Sequence, residues 1–331
     1  MTGHKEKAAM PPELSVILPN YNHARFLPRC LDAMLAQSVP PREIIIIDDA
    51  STDNSLEVID QYRRQHSCIR LHRHNKNQGV VSGMNDGLRL ARGEYVYFAA
   101  ADDLVLPGLF EKSLNLLSKH PQAALCCTIG DWHEESSGYH WQVSVGMASG
   151  PSYLNPDTLV RLEKKGLLYI ASHTAIMHRQ ALIDAGGFLT DLRWHCDWFA
   201  LYTVAFRHGI CHIPEPLARY NIRESSFYKA RRGDLHRQVI HRLLDYLEAP
   251  AYADVAPLIR HSGALFIFGG PILRAMLRRP TRHQYLNPVF LRKNLWHSLK
   301  LIAKMILPAF VAHWYFRTFY RSHTESQPHI P

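Results

Sequence analysis

Glu43-Ile44-Ile45-Ile46-Ile47-Asp48-Asp49 is the stretch that decides the fold. Four consecutive isoleucines show no alternation of apolar and polar positions, so neither face of this segment is written for water. Such a run reads as a strand covered on both sides, as happens in a parallel sheet with helices above and below it. It stops at two carboxylates, which a buried strand cannot continue through.

Working outward, Leu14-Ser15-Val16-Ile17-Leu18 is a second apolar run, ended by Pro19. Between the two, Ala24 to Gln37 has helical apolar spacing at Phe26, Leu27, Cys30, Leu31, Met34 and Leu35, with Pro28 tolerated in the first turn. A helix is expected from about Asp53, a strand near Ile69 to His72, a helix after Gly79, and a fourth strand from Glu94 to Phe98 that leads to Asp102-Asp103. This rhythm implies right-handed βαβ units and a mostly parallel sheet, an α/β class. The middle of the chain is mixed. Strands are expected over Ala124–Ile129, Tyr139–Val145 and Leu217–Asn221, a Gly186-Gly187 helix stop follows Leu182, and a helix covers Asp197–Arg207. From Asp234 the pattern is helical.

The polar landmarks share a position. Asn20, Tyr21 and Asn22 follow the first strand, Asp48 and Asp49 the second, and Asp102 and Asp103 the fourth. In an open α/β sheet, ligands bind in the crevice beyond the carboxyl ends of the strands. Helix capping explains such residues one cluster at a time, and Asp53 with Asn54 fits that explanation. Three clusters at three strand ends point to a site. His72 and His74 fall on the expected third strand without three-ligand metal spacing and read as exposed.

Composition bounds the rest. The chain has 331 residues, 47% of them hydrophobic, and a formal charge of +9. Its six cysteines form no C-x-x-C pair, so they are expected to be reduced and mostly buried. Residues 1–12 are polar and lack the apolar core of a signal peptide, which sets the expectation of a flexible N-terminus and a cytoplasmic protein. Basic residues gather late, at Arg274, Arg278, Arg279, Arg282, Arg292, Lys293, Lys300 and Lys304, among apolar runs too interrupted to span a bilayer. Two readings stay open there: a basic helix lying on the cytoplasmic face of the inner membrane, or helices packed on the body of the protein.

The run Ser15 to Asn22, then Glu43 to Asp53, Asn77-Gln78-Gly79, Asn85, and Ala91-Arg92-Gly93-Glu94-Tyr95-Val96 leading to Ala101-Asp102-Asp103 resembles family 2 glycosyltransferases of GT-A fold. Gly186-Gly187-Phe188 followed by Asp197 resembles the family's acceptor-side segment. The similarity covers roughly residues 13–222. It implies a GT-A unit over 13–225, with a nucleotide-binding half at about 13–105 and an acceptor half at about 106–225, followed by a basic helical region over 226–331. It implies that Pro19 and Tyr21 line the base pocket, that Asp49 accepts from a base N–H, and that Asn22 and Asn85 also face the nucleotide. Asp102, with Asp103, would hold Mg2+ or Mn2+. Asp197, within Trp194-His195-Cys196-Asp197-Trp198, matches the general base of an inverting transfer. His173, Trp194, His195, Trp198 and Arg223 are acceptor-side candidates.

The expected partners are a nucleotide-sugar donor, a UDP-sugar by the family's commonest usage, and a glycan or lipid-linked acceptor in cell-surface polysaccharide synthesis. Nucleic acid is not expected. This sequence departs from the family at Ala100, where another acid is common, and at Met84, where Arg is common just before Asn85. The missing acid keeps a non-catalytic sugar-nucleotide-binding module open as an alternative. A dinucleotide-binding oxidoreductase fits poorly, because Pro19-Asn20-Tyr21-Asn22 stands where a G-x-G-x-x-G turn belongs.

Overall fold

The computed structural model describes residues 13–222 and 233–306. The first half alternates as expected: β1 (Leu14–Asn20), α1 (Leu27–Leu35), β2 (Glu43–Asp48), α2 (Ser55–Gln65), β3 (Ile69–Arg73), α3 (Val80–Leu90) and β4 (Tyr95–Phe98). Strands β3, β2, β1 and β4 lie side by side in that order and all run parallel. The four isoleucines of β2 divide between two cores. Ile45 and Ile47 join Ile17, Val96 and Phe98 on one face, while Ile44 and Ile46 join Val16, Leu18, Tyr95 and Tyr97 on the other. All four are 0–1% exposed, so the unbroken apolar run reflects burial on both sides.

The second half makes the sheet mixed. It contains β5 (Leu104–Val105), α4 (Leu109–Lys119), β6 (Leu125–Glu134), β7 (Tyr139–Val143), β8 (Ser152–Leu154), α5 (Pro156–Lys165), β9 (Ile176–His178), α6 (Arg179–Asp184), α7 (Cys196–His208) and β10 (Ile210–Ile222). Strand β9 is antiparallel to both β4 and β6, and β10 runs parallel to β6. The short strand expected over Leu217–Asn221 is the end of β10, which starts seven residues earlier, at Ile210. Pro214 and Pro216 read as a break in the sequence. The ladder instead carries them through register shifts between Ile213 and Pro216 and between Pro216 and Ala218, which place residues lacking an N–H where none is required.

Four further helices follow, α8 (Gly233–Glu248), α9 (Ala256–Ser262), α10 (Gly269–Leu277) and α11 (Pro288–Ile306). Their buried side chains, among them Ile240, Leu244, Ile259, Ile272 and Phe290, belong to the same core as Ile45 and Ile47, as does Phe268 in the short turn between α9 and α10. Of the two readings of the basic tail, packing therefore accounts for its inner face. The Lys293 Nζ of α11 donates to both the carboxylate and the carbonyl of Glu163 on α5, and the Tyr202 hydroxyl donates to the other carboxylate oxygen. Burial pushes the Glu163 carboxyl up and the Lys293 ammonium down. Arg282, 0% exposed, is held by Glu248, Asp245 and His241. The outer face of α11 differs, with Leu291, Leu295, Trp296 and Leu299 all exposed. Among the described residues no helix is long and apolar enough to cross a membrane.

Candidate functional site

Strand β1 pairs with β2 as far as Asn20, but with β4 only as far as Ile17. The chain runs outward from β1 to β3 and then returns to β4 on the other side of β1. This is a topological switch point, and the crevice opens where β1 and β4 part. Pro19 stands at its mouth. The Ile17 carbonyl accepts from Ala99 of the β4 side, so by alternation the nitrogen of Pro19 faces the same side beyond the last paired residue, where proline's missing N–H costs nothing. Tyr21 follows, 44% exposed at the crevice.

The strand-end side chains first build a scaffold. Asn20 Nδ2 donates to Asp48 Oδ2 at 2.9 Å and to Ser51 Oγ at 3.1 Å, and Asp48 Oδ1 accepts from the Ser51 N–H. Asn22 takes a left-handed φ of 56°, a conformation asparagine tolerates better than most residues. Its Oδ1 accepts from the N–H groups of Thr52 and Asp53. Asp49, 6% exposed, accepts from His74 Nδ1 and the Gln78 N–H on one oxygen and from the Gly79 N–H on the other, each at 2.8 Å. Burial alone would raise its pKa, but the hydrogen bonds from Gln78, His74 and Gly79 outweigh burial and hold it below the ordinary value. A carboxylate offers about four acceptor positions. Three of them are used here, and Asp49 stays ionised with one more to give.

His74 corrects the sequence reading. It is 4% exposed, not solvent-facing, and its Nε2 meets Asp86 Oδ2 at 2.9 Å. The cause is register. Asp48 pairs with Arg73 across β2 and β3, so the next residue of each strand, Asp49 and His74, meet at the sheet end. His72, two positions earlier, is exposed as expected.

Asp102 and Asp103 lie in the turn after β4. The Asp102 carbonyl accepts from Arg29 at 3.2 Å and from Asn221 Nδ2 at 2.7 Å, and Asp103 Oδ1 accepts from the Asn221 N–H at 3.0 Å. The turn is therefore pinned by α1 on one side and by the end of β10 on the other. Its charge is felt locally: burial, then Asp103 and Asp102, push the Cys30 thiol up to about 12. Among the described residues no three His, Cys, Asp or Glu side chains converge as a metal cage. The Asp103 carboxylate is drawn inward, which leaves Asp102 as the half-buried carboxylate at the crevice. This donor set fits a hard cation that takes one protein carboxylate and completes its shell with phosphate oxygens and water.

The acceptor-side candidates fall into two groups. His173 belongs with Asp102. Its carbonyl accepts from the Tyr97 hydroxyl at 2.8 Å, and its ring lies against Tyr220, the neighbour of Asn221. Burial drops its pKa to about 3, so it is a neutral imidazole and a poor proton acceptor. Trp194, His195 and Trp198 instead flank Asp197 in the chain at the start of α7. His195 is buried, 3.3 Å from His236 and packed edge-on to Phe268. Trp198 stacks on Tyr202 at 4.5 Å and meets Phe268 at 4.8 Å, so its faces are occupied by protein. Asp197 Oδ1 accepts from the Trp198 N–H in the first turn of α7. Asn85 ties the two halves together. Its Nδ2 donates to the Phe188 carbonyl at 2.7 Å and its Oδ1 accepts from the Phe188 N–H at 3.0 Å. Arg223 lies outside the described residues.

The sequence profile of Glycosyl transferase family 2 matches residues 15–186, more than half of the chain. The chain belongs to that family. It is 34% identical over 149 residues to YibD of Escherichia coli, an uncharacterized glycosyltransferase, a match spanning 43% of each protein. The chain thus covers less than two thirds of that relative. In three dimensions it is similar to residues 1–349 of TarS from S. aureus, solved in complex with UDP-GlcNAc, with a TM-score of 0.62 at 17% identity over 85% of this chain and 79% of that one. It is also similar to the mannosyltransferase PcManGT from Pyrobaculum calidifontis, solved with GDP-Man and Mn2+, with a TM-score of 0.55 at 17% identity over 94% and 85%. The fold is GT-A.

Sequence reasoning missed four supports of this family 2 site: His74, Arg29, Asn221 and His236. Register would have found His74 once β2 and β3 were aligned. The other three act on residues 41 to 119 positions away, and no local pattern marks them.

Proposed function

We propose that the chain transfers a sugar with inversion from a nucleoside diphosphate donor, a UDP-sugar, to a hydroxyl of a glycan or lipid-linked acceptor in cell-surface polysaccharide synthesis. The observation that carries this is that Asn22, Asp49 and Asp102 each follow the carboxyl end of one of the neighbouring parallel strands β1, β2 and β4 in a family 2 chain. The ionised Asp49 has acceptor capacity for a base N–H, and Tyr21 stands exposed at the base side. TarS, similar in fold, was solved with UDP-GlcNAc. We take residues 13–225 as the catalytic unit.

In this reading the acceptor oxygen attacks the anomeric carbon, the bond from that carbon to the diphosphate breaks, and the acceptor proton passes to the Asp197 carboxylate. Asp197 takes this role over His173, whose burial leaves it little basicity, and over His195, which is packed inside against Phe268. Mg2+ or Mn2+ held by Asp102 would neutralise the charge that collects on the leaving diphosphate. Asp103 orients the turn through Asn221, and we assign Asn85 to the tie with Phe188. The exposed stripe of Leu291, Leu295, Trp296 and Leu299 on a basic chain supports peripheral contact with the inner membrane, where a lipid-linked acceptor is met.

The decisive variant is Asp197→Asn, which keeps size and cannot take the proton. Turnover is expected to fall on the order of 10²–10⁴-fold, with UDP affinity and melting temperature nearly unchanged. Normal turnover with early melting would make Asp197 a helix cap instead.

A further inference from the structure

Two adjoining cavities of about 500 and 560 Å³ lie between α8 and α10, sharing Arg237, His241 and Arg278. Arginines dominate their walls. Arg237 and Arg242 come from α8, Arg274 and Arg278 from α10 and its end, against two aspartates, Asp234 and Asp245. The acids are already engaged. Asp234 pairs with Arg237 one turn along α8, and Asp245 faces the buried Arg282 together with Arg279. Arg242 meets Asp191 at 3.9 Å. Arg274 and Arg278 are exposed and have no carboxylate within salt-bridge range among the described residues. The excess of positive charge acts on a neighbour. Burial first, then Arg282, Arg279 and Arg278 on the lowering side, hold the His241 pKa below its ordinary value against the pull of Asp245.

The groove also has a definite relation to the site. His236, on its wall, lies 3.3 Å from His195 and against the ring of Trp194, in the turn that leads directly into Asp197. Arg242 and Asp191 link the other end of that turn to α8. The groove therefore runs away from the base on the acceptor side, and not from the strand ends where the nucleotide belongs.

We propose that the groove between α8 and α10 binds a phosphate group of the acceptor, so that the accepting hydroxyl belongs to a phosphodiester-bearing molecule. Several guanidiniums directed into one depression match phosphate oxygens by paired, charge-assisted N–H donation. Two arginines without a carboxylate partner among the described residues favour an anionic group over an uncharged glycan. The inference rests on the assignment of Asp197 to the acceptor side.

The test uses the full chain, a synthetic oligomer of glycerol phosphate as the soluble probe, and UDP titrated in parallel. Arg274→Gln with Arg278→Gln removes two surface charges from the groove, and Arg63→Gln with Arg64→Gln removes two exposed charges from α2 as a control. The groove variant is expected to bind the oligomer about tenfold more weakly, the control within about twofold of the parent, and UDP equally in all three. Parent affinity for the oligomer should fall as salt rises from about 50 to 200 mM. Phosphatidylglycerol vesicles form the second arm, and the groove variant should still sediment with them. Equal loss of oligomer binding in groove variant and control overturns the proposal, as does unchanged oligomer binding with lost vesicle binding, which would give the groove to lipid headgroups. A parent chain that binds the oligomer but no UDP would instead overturn the functional reading and leave the anion site standing.

Discussion

The two halves of the site are held by different means. Around Asp49 the strand ends hold one another through short polar contacts: Asn20 on Asp48, Asn22 on the Thr52 turn, His74 between Asp49 and Asp86. Around Asp197 the support is aromatic and distant, with Phe268 and His236 of the C-terminal helices closing over His195 and Trp198. A polar strand-end scaffold needs only the sheet beneath it. The proposed acceptor side packs on His236 of α8 and on Phe268 between α9 and α10, so residues beyond the family match help build it.

Undocking those helices should break the comparison most strongly. Lys293→Met leaves Glu163 buried without its counter-charge, which typically costs about 3–5 kcal/mol. Urea unfolding should show that loss, and the double variant Glu163→Leu with Lys293→Met should recover a large part of it. Nucleotide affinity in the folded single variant should stay unchanged. A parallel loss of UDP binding at full folding would mean that the two halves are not supported separately.

The same division explains what could be read in the sequence. The isoleucine run of β2 and the acids after β2 and β4 obey local rules, so the parallel sheet and the crevice followed from them. The extent of β10 did not, because Pro214 and Pro216 signal a break unless the bulges are known. His74 was misread because its environment is set by the register of two strands, while its own neighbours are polar and suggest solvent. His195 and Trp198 looked open to substrate because His236 and Phe268, which help cover them, come from beyond position 230, where the family resemblance had ended.

A smaller effect is expected within the nucleotide half. Asp49→Ala removes the acceptor of His74 Nδ1 and of the Gln78 and Gly79 N–H groups, at a cost of about 3 kcal/mol, while His74 Nε2 keeps Asp86. The pH dependence has a fixed sign. The folded pKa of Asp49 lies below its ordinary 3.8, so its contribution is complete above that value and is lost as pH falls through the folded pKa. Acid titration of unfolding stability should therefore fall more steeply below about pH 4 in the parent than in Asp49→Asn. Equal slopes would remove Asp49 from the stabilising network.

The smallest effect sharpens the boundary between the halves. Asn85 sits on α3, in the proposed nucleotide half, yet both of these hydrogen bonds run to the backbone of Phe188 in the proposed acceptor half. Phe188 in turn packs edge-on against Phe98 at 4.8 Å, at the end of β4, so the tie fixes the acceptor-side turn to the rim of the crevice. Gly187 beside it takes a left-handed φ of 66°, and a Cβ there would meet Asn85 Oδ1 at 3.0 Å, so the turn is shaped to fit this amide. Asn85→Ala removes two neutral hydrogen bonds in a half-buried position, which should cost about 1–2 kcal/mol. UDP affinity should stay within about twofold, while turnover falls modestly as the turn before Asp197 loosens. Calorimetric UDP titration and thermal unfolding on the one variant decide the matter. A tenfold loss of UDP affinity at unchanged stability would make Asn85 a donor contact and move it from the seam into the nucleotide half.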